Sequence, residues 1–276
     1  MLKYNVEKVN QRLTIMGKLN EFLRVWPGGT VAVQSWLDER HIARQLSQKY
    51  VKGGWVEKIG QGAYIRSGDR VNWRGGIYAL QQQLQLPIHV GGKTSLDLLG
   101  RGHFIPLGDL QHLYLYTNGS DPKRQLPKWL AGYFKLPEIY YVPTVLFSSN
   151  LGLQKLDCAT FEITISGTER ALMEILSLVP KQVSLEHAFL LLQGQETLRA
   201  DLLQKLLEDC KVQVLKRLFL YLAKKCQLPV VERLNLRTID LGHGKRKIGN
   251  GNHYDPEFKL LIPKLDQQGG SSDEEV

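Results

Sequence analysis

Apolar residues near the start of the chain recur every three to four positions, the spacing of one buried helix face. This pattern stops at Pro27-Gly28-Gly29, a break that favours a turn. Further along, Gly60-Gln61-Gly62 separates two short apolar runs, as in a hairpin. The predicted elements are helices over 6–25, over roughly 30–40 and over Ala43 to Lys52, followed by strands over 56–59 and 63–65.

From about residue 70 the apolar runs are shorter, and helices alternate with strands. Ser166 and Glu169 have the spacing of a capping box, and Ser184 precedes another helical run. This order predicts an α+β fold. The predicted helices lie near 77–84, 94–99, 184–192, 197–208 and 212–226, with another that Ser166 caps, and the strands lie near 88–90, 112–117, 138–147, 158–165 and, in short pieces, 234–262.

The third helix has one apolar and one cationic face. Ala43, Leu46 and Tyr50 are predicted to point inward. Arginine and lysine side chains can bind guanine edges or phosphates, and glutamine can pair with adenine, so the other face suits the major groove of DNA. The residues predicted on that outer face are Arg44, Gln45, Ser47, Gln48, Lys49 and Lys52.

Gly53-Gly54 ends this helix abruptly, and Trp55 leads straight into the hairpin. Helix, turn, helix and hairpin is the order of a winged helix-turn-helix, in which the hairpin is the wing. Lys58, Gln61 and Arg66 lie on or beside the wing, where phosphate contacts are expected. Two alternatives stay open, since such units also bind proteins and a cationic helix face is often only solvated.

Four segments together resemble one family. They are GWVEKIGQGAY from Gly54 to Tyr64, WRGGIYALQ from Trp73 to Gln81, HVGGKTSL from His89 to Leu96, and LPKWL from Leu126 to Leu130. In this combination the chain resembles the AbiEi antitoxins of bacterial abortive-infection systems. The likeness covers about 1–150, with LGHGKRKI at Leu241 to Ile248 as the main match further on. Ala43 departs from the family pattern, which often places a capping serine there.

The resemblance implies a function. Such antitoxins bind inverted repeats upstream of their own operon through an N-terminal winged helix and repress it. A C-terminal region neutralises the partner toxin, AbiEii, which resembles a nucleotidyltransferase. The type IV designation implies that the antitoxin opposes the toxin without a stable complex. An inverted repeat further implies that two copies meet on the DNA, as a dimer formed before or during binding.

Positive charge is concentrated in two segments. Residues 1–70 contain 12 Lys and Arg against 6 Asp and Glu, and residues 211–264 contain 12 against 4, within a net charge of +9. Two basic segments favour a polyanionic partner. In the second segment we predict another anion-binding surface, for flanking DNA, the toxin or the toxin's tRNA substrate. It comprises Lys216, Arg217, Lys224, Lys225, Lys245, Arg246 and Lys247. The acidic end, 266–276, is expected to be disordered and to fold over this surface when DNA is absent.

Other functional classes find little support. The three cysteines are far apart and show no CxxC pair, and His89, His103 and His112 lack ligand spacing, so neither disulfides nor a metal site are expected. No nucleophile motif indicates an enzyme, and no cofactor is expected. GGKTS from Gly91 resembles the end of a P-loop, but Pro87 occupies the first glycine position. We expect a strand-to-helix turn there, with Lys93 near an anion at the helix start.

The N-terminus has no apolar core typical of a signal peptide, and no apolar run is long enough to span a membrane, so a cytoplasmic location is expected. Two functions compete: a DNA-binding autorepressor that is also an antitoxin, and a protein-interaction module that sequesters the toxin without reading DNA sequence. The predicted divisions are a winged helix over 1–70, a mixed α/β region over 71–155, a helix-rich α/β antitoxin domain over 156–265 and an acidic tail over 266–276.

Overall fold

A computed structural model describes residues 17–102, 112–118, 126–136 and 138–265. Its N-terminal part is a winged helix-turn-helix, as predicted. Helix α1 covers 17–25 within the described residues, and a three-stranded antiparallel sheet of order β1-β3-β2 supports the hairpin. The other elements are β1 (Ala32–Val33), α2 (Gln34–Asp38), α3 (Arg44–Lys52), β2 (Val56–Gly60) and β3 (Ala63–Arg66).

Two details of this unit differ from the sequence prediction. Helix α2 begins at Gln34 because Ala32 and Val33 pair with β3 as strand β1. A strand of two residues is too short to show alternation, and the pattern therefore merged it with the helix. The part of the first predicted helix before residue 17 lies outside the described residues.

A five-stranded sheet of order β6-β5-β4-β8-β7 follows the winged helix. Strand β4 is antiparallel to β5 and parallel to β8, and β6 is parallel to β5. Helix α4 enters this region and continues as a π-helical segment. The elements are α4 (Trp73–Tyr78), the π-helical segment (Ala79–Gln83), β4 (Ile88–Val90), α5 (Gly92–Leu98), β5 (His112–Asn118), α6 (Lys128–Phe134), β6 (Glu138–Thr144), β7 (Leu153–Asp157) and β8 (Glu162–Ser166).

Two glutamines of the π-helical segment bind backbone groups on both sides of it. Gln83 accepts a hydrogen bond from the Val33 amide at 2.9 Å and donates one to the Val31 carbonyl at 2.8 Å. Gln81 likewise accepts from the Thr164 amide at 2.7 Å and donates to its carbonyl at 2.9 Å. The two amide side chains thus form the pair of backbone hydrogen bonds that a neighbouring strand would form. Together they join the winged helix to strand β8.

Helices and a small sheet complete the chain. The small sheet has the order β10-β11-β9, with β10 antiparallel and β9 parallel to β11. Short 3₁₀ turns at Pro229–Arg233 and Leu236–Thr238 connect it to the last helix. The elements are α7 (Thr168–Leu176), α8 (Leu185–Gln193), α9 (Ala200–Asp209), α10 (Gln213–Lys225), β9 (Arg246–Lys247), β10 (His253–Asp255) and β11 (Leu260–Ile262).

One predicted helix cap is confirmed and another is wrong. The Ser184 hydroxyl accepts a hydrogen bond from the His187 amide at 3.1 Å and caps α8. Ser166 ends strand β8 instead of capping α7, whose N-cap is Gly167, and its hydroxyl donates to Glu174 at 2.7 Å. Strand β7 was not predicted.

The described residues contain a small apolar cluster of Tyr114, Tyr116 and Leu178 and two large ones. One joins the winged helix to the sheet through side chains such as Trp26, Leu80 and Ile165. The other contains helices α7 to α10 and the small sheet, with Phe219 fully buried. The fold class is α+β. Strand β8 pairs with β4 across the division drawn at residue 155, and the domain boundaries stay predictions.

Candidate nucleic-acid interface

Helix α3 presents a basic face to solvent. Its inner side is held by Tyr50, which is 2% exposed, and by half-buried Leu46. Ala43 was predicted on the inner side but is exposed, as the N-cap without a side-chain hydrogen bond. The residues of the predicted DNA-reading face that are exposed are Arg44, Gln45, Gln48, Lys49 and Lys52.

An open groove of about 280 Å³ separates α3 from the wing. Every charged residue that lines it is basic. The groove brings both ends of the recognition helix together with the hairpin, as a winged helix requires for simultaneous contact with a duplex. Its lining residues are Arg44, Gln48, Val51, Lys52, Lys58, Gln61, Gly62 and Tyr64.

Ser47, predicted to face outward, lies inside. It is 1% exposed, and its hydroxyl donates a hydrogen bond to Gln34 Oε1 at 3.1 Å. The error has a simple cause: Ser47 lies three residues before buried Tyr50, so the two residues share the inner face of the helix. Ser47 therefore positions the helix and does not face the groove.

Gln34 connects helix α2 to helix α3 and to the wing. This role was not predicted from the sequence. Gln34 Oε1 also accepts from the Tyr64 hydroxyl on β3 at 3.0 Å, and its Nε2 donates to the Ile42 carbonyl at 3.1 Å. Its backbone amide donates to Gly62 at the wing turn at 2.8 Å. We call Gln34, Ser47, Tyr64 and the Ile42 carbonyl the Gln34 cluster. The only signal in the sequence was a polar residue beside Val33 and Trp36.

Arg66, predicted as a wing contact, turns away from the groove. Its guanidinium Nη2 donates to the Leu23 carbonyl at 2.6 Å, and the group lies 5.5 Å from the ring centre of Trp26. Arg66 is half-buried. It fastens strand β3 to helix α1, and the exposed cation of the wing is Lys58.

The predicted C-terminal basic surface is only partly a surface. Lys216 and Arg217 are 3% and 1% exposed, so their assignment to it is wrong. Arg217 donates to the carbonyls of Leu241, Gly242 and Gly244 at 2.7, 2.9 and 2.7 Å, and it holds the glycine-rich loop against α10. Burial, followed by the charge of Arg246, lowers the pKa of Arg217.

The other members of this surface are exposed. Lys224 forms an ion pair with Glu257, and Lys225 lies 5.9 Å from the ring centre of Tyr221. Lys245 lies 4.7 Å from the ring centre of Tyr254. The remaining two members, Arg246 and Lys247, are exposed on strand β9, which pairs only with β11 among the described strands.

The P-loop-like segment is a strand-to-helix turn whose anion comes from the chain itself. Glu174 is fully buried, and its Oε2 accepts a hydrogen bond from the Gly92 amide at the start of α5, at 3.0 Å. Its Oε1 lies 2.7 Å from His89 Nε2 and 3.0 Å from Arg170 Nε. Burial raises the pKa of Glu174, but the interactions with His89, Arg170 and Ser166 outweigh burial, so the pKa is lowered. Lys93 pairs with Asp97 instead, at 3.0 Å.

The described residues show two further absences. No cluster of three or more His, Cys, Asp or Glu side chains in them has an arrangement that could hold a metal ion. No helix among them is long and apolar enough to cross a bilayer. Their three cysteines are free thiols.

Comparisons with known proteins agree on the family. Residues 16–107 match the family described as "Transcriptional regulator, AbiEi antitoxin N-terminal domain". Residues 111–263 match "Transcriptional regulator, AbiEi antitoxin, Type IV TA system". Neither description is that of an enzyme. A search of curated proteins gave no match.

A solved structure has a similar fold. The RV2827C protein from Mycobacterium tuberculosis is 15% identical, and the alignment covers 90% of this chain and 91% of that one with a TM-score of 0.53. At this identity the likeness concerns the fold alone. The two family matches span most of the chain, and they include the winged helix, the central sheet and the C-terminal helices. The chain belongs to the AbiEi family of antitoxins and transcriptional regulators of type IV toxin–antitoxin systems.

Proposed function

We propose that this chain represses its own operon by binding an inverted repeat in the promoter, and that it counteracts a nucleotidyltransferase toxin of the AbiEii type. The observation that carries the first part is the basic groove between α3 and the wing. Helix α3 spans Arg44–Lys52, and an α-helix with its side chains is about 10–12 Å in diameter, which fits a major groove about 12 Å wide.

The exposed residues of α3 divide into two roles. In helix-turn-helix proteins the first residues of the recognition helix contact base edges. Arg44, Gln45 and Gln48 occupy the first half of α3, and we assign them to base reading. Lys49 and Lys52 near its end, with Lys58 on the wing, are placed for phosphates, where a flexible ammonium group suffices. Gln61 lies at the hairpin turn and contacts the backbone or the minor-groove edge.

The part of the chain that the structure describes contains one winged helix-turn-helix. An inverted repeat therefore requires two copies, spaced by about one turn of DNA or a multiple of it. We propose that the repressor binds as a homodimer on the operator.

The first experiment is binding of the full chain to its own upstream DNA and to a scrambled duplex across a salt series. We expect a preference for the upstream DNA that persists at physiological salt. Replacing both Arg44 and Lys49 by Ala should cost at least ~2 kcal/mol of binding to it, or about thirtyfold. The matched control replaces Lys181 and Lys205, which are exposed on the C-terminal side, by Ala. Equal binding of both duplexes by the unmodified chain contradicts the repressor proposal.

The antitoxin part of the proposal rests on the C-terminal basic surface. Lys245, Arg246 and Lys247 project from the loop and edge strand that Arg217 holds in place. A cluster of exposed cations suits an acidic protein surface or a polyanion. We propose that this surface acts in toxin neutralisation, directly or through the toxin's RNA substrate.

The alternative function is sequestration of the toxin without sequence-specific DNA binding, and these same exposed cations favour it. Replacing Lys245, Arg246 and Lys247 by Glu should abolish rescue of cells from the toxin while leaving operator preference intact. The Arg44→Ala/Lys49→Ala variant should show the opposite pattern. Rescue by the charge-reversed variant at the normal level would remove this surface from the antitoxin activity.

A further inference from the structure

We propose that helix α6 is a second DNA-backbone contact, which extends the reading surface beyond the wing through Lys128 and Lys135. This inference rests on the proposed DNA binding and names a further part of the same interface. Helix α6 comes from the central region of the chain and not from the winged helix itself. None of its residues was among the DNA contacts predicted from the sequence.

Helix α6 packs directly against the tip of the wing. A Cβ atom added at Gly60 would lie 2.6 Å from Cβ and 3.5 Å from Cα of Trp129, so the backbone of β2 touches the helix. Trp129 and Leu130 form the buried side of α6, with 6% and 0% exposure. Lys128 is the residue before Trp129, and Gln61 is the residue after Gly60. The start of α6 and the tip of the wing are therefore immediate neighbours.

The wing tip lies between two supports. On one side, Gly62 faces Gln34, whose Cβ would be 3.4 Å from an added Cβ, and behind Gln34 lies helix α3. On the other side, Gly60 faces Trp129 of α6. A duplex that fills the groove between α3 and the wing and continues past the wing tip meets α6 next.

The exposed side of α6 suits a phosphate backbone. Lys128, Ala131 and Gly132 are exposed at positions that share one helix face, and exposed Lys135 follows the helix as its C-cap residue, in the left-handed conformation. The two lysines lie at opposite ends of this seven-residue helix, and Ala131 and Gly132 on its exposed face leave room for the phosphate backbone beside exposed Tyr133. Neither lysine has an ion-pair partner among the described residues, whereas Lys93 is paired with Asp97.

Phosphate contacts make a specific prediction for salt dependence. Each neutralised phosphate contributes about −0.9 to the slope of log K against log salt concentration, whatever the base sequence. Base readers instead change the preference between duplexes. Contacts from α6 must therefore weaken binding to all duplexes alike when they are removed.

The test uses the full chain with Lys128→Ala and Lys135→Ala together, and Lys181→Ala with Lys205→Ala as the matched control. We expect the salt slope to fall by about two units for the α6 variant, equally for upstream and scrambled DNA, with an unchanged ratio between them. The control should keep the slope of the unmodified chain. Both pairs are exposed, and urea unfolding should confirm that neither variant loses the fold.

Two results overturn the inference. An α6 variant with the salt slope of the control has no phosphate contact at this helix. A variant that loses only stability identifies the lysines as structural, for example through Lys135 at the end of the helix dipole. In both cases the proposed repressor function stands as long as Arg44→Ala/Lys49→Ala destroys the preference for upstream DNA. Absence of that preference in the unmodified chain overturns the repressor proposal itself.

Discussion

The two basic segments of the chain carry similar charge and use it differently. Residues 1–70 have 12 Lys and Arg against 6 acids, and residues 211–264 have 12 against 4. In the first segment the cations of α3 are exposed and line a groove. In the second, Lys216 and Arg217 lie inside the molecule, and Lys224 is paired with Glu257. Helix α10 of the second segment therefore offers a partner fewer unpaired, exposed cations than helix α3 of the first segment.

The difference follows from how each helix is packed. Helix α3 covers the winged-helix core with one face, and its other face meets solvent. Helix α10 is buried continuously from Leu215 to Ala223, because α7, α8 and the 3₁₀ turn after it all pack against it. An amphipathic pattern predicts one buried stripe, and it gives no warning when neighbouring elements cover the polar face as well.

The largest expected loss of stability comes from replacing Arg217. Arg217→Ala removes the guanidinium that donates to the carbonyls of Leu241, Gly242 and Gly244, and leaves a cavity between α10 and the glycine-rich loop. We expect the free energy of unfolding to fall by at least ~3 kcal/mol. Urea denaturation followed by circular dichroism measures it. Lys225→Ala, an exposed cation of the same helix, is the control and should cost under ~0.5 kcal/mol.

Equal, small losses for Arg217→Ala and Lys225→Ala would remove the contrast between the two segments, since Arg217 would then be a surface charge like those of α3. A large loss has a practical consequence for antitoxin assays. Defects of Arg217 variants in toxin neutralisation would report unfolding of the loop that carries Lys245, and not a lost contact with a partner.

Gln34 tests whether the exposed cations of α3 depend on a buried polar support. Gln34→Leu has a similar volume but leaves the hydroxyls of Ser47 and Tyr64 and the Ile42 carbonyl without this partner. We expect a loss of ~2–3 kcal/mol in unfolding free energy and weaker binding to upstream DNA, because α3 and the wing lose their fixed angle. The control, Gln193→Leu on the exposed end of α8, should change neither. Normal DNA affinity with normal stability would show that packing alone orients α3.

Local patterns predicted the parts of the interface that local chemistry determines. The glycines at 53–54 and 60–62 mark the helix end and the wing turn, and the structure has both where the sequence indicates them. Arg44 and Lys52 are exposed as the helical period predicts. The same holds for Ser184, whose cap involves a residue three positions away.

The missed features depend on contacts between distant parts of the chain. Gln34 meets Tyr64 thirty residues later, Arg66 binds a carbonyl on α1, and Gly60 touches Trp129 on α6. Ser166 has the spacing of a helix cap, but a buried carboxylate on the next helix takes its hydroxyl. No short pattern encodes such partners, since either residue alone looks like an ordinary polar or small side chain.

Ser47 and Gln48 are adjacent and make a sharper test of which α3 residues read DNA. Ser47→Ala should cost about 1 kcal/mol of stability or less, because Tyr64 still satisfies Gln34, and the base preference should not change. Gln48→Ala should leave stability within ~0.5 kcal/mol and relax the preference at one base pair by ~1–3 kcal/mol. Binding to a set of single-base operator variants measures both. A relaxed base preference in Ser47→Ala would place its hydroxyl at the DNA after all.

The smallest expected effect concerns Lys247, an exposed cation on β9. Lys247→Ala should change the unfolding free energy by less than ~0.5 kcal/mol, because Lys247 is exposed. The preference for upstream over scrambled DNA should be unchanged, because β9 belongs to the small C-terminal sheet and does not line the α3 groove. The same denaturation and binding assays measure both quantities. A loss of operator preference on this single substitution would mean that the C-terminal segment reads DNA together with α3. The two basic segments would then form one interface, and their separate uses of charge would concern only Lys216 and Arg217.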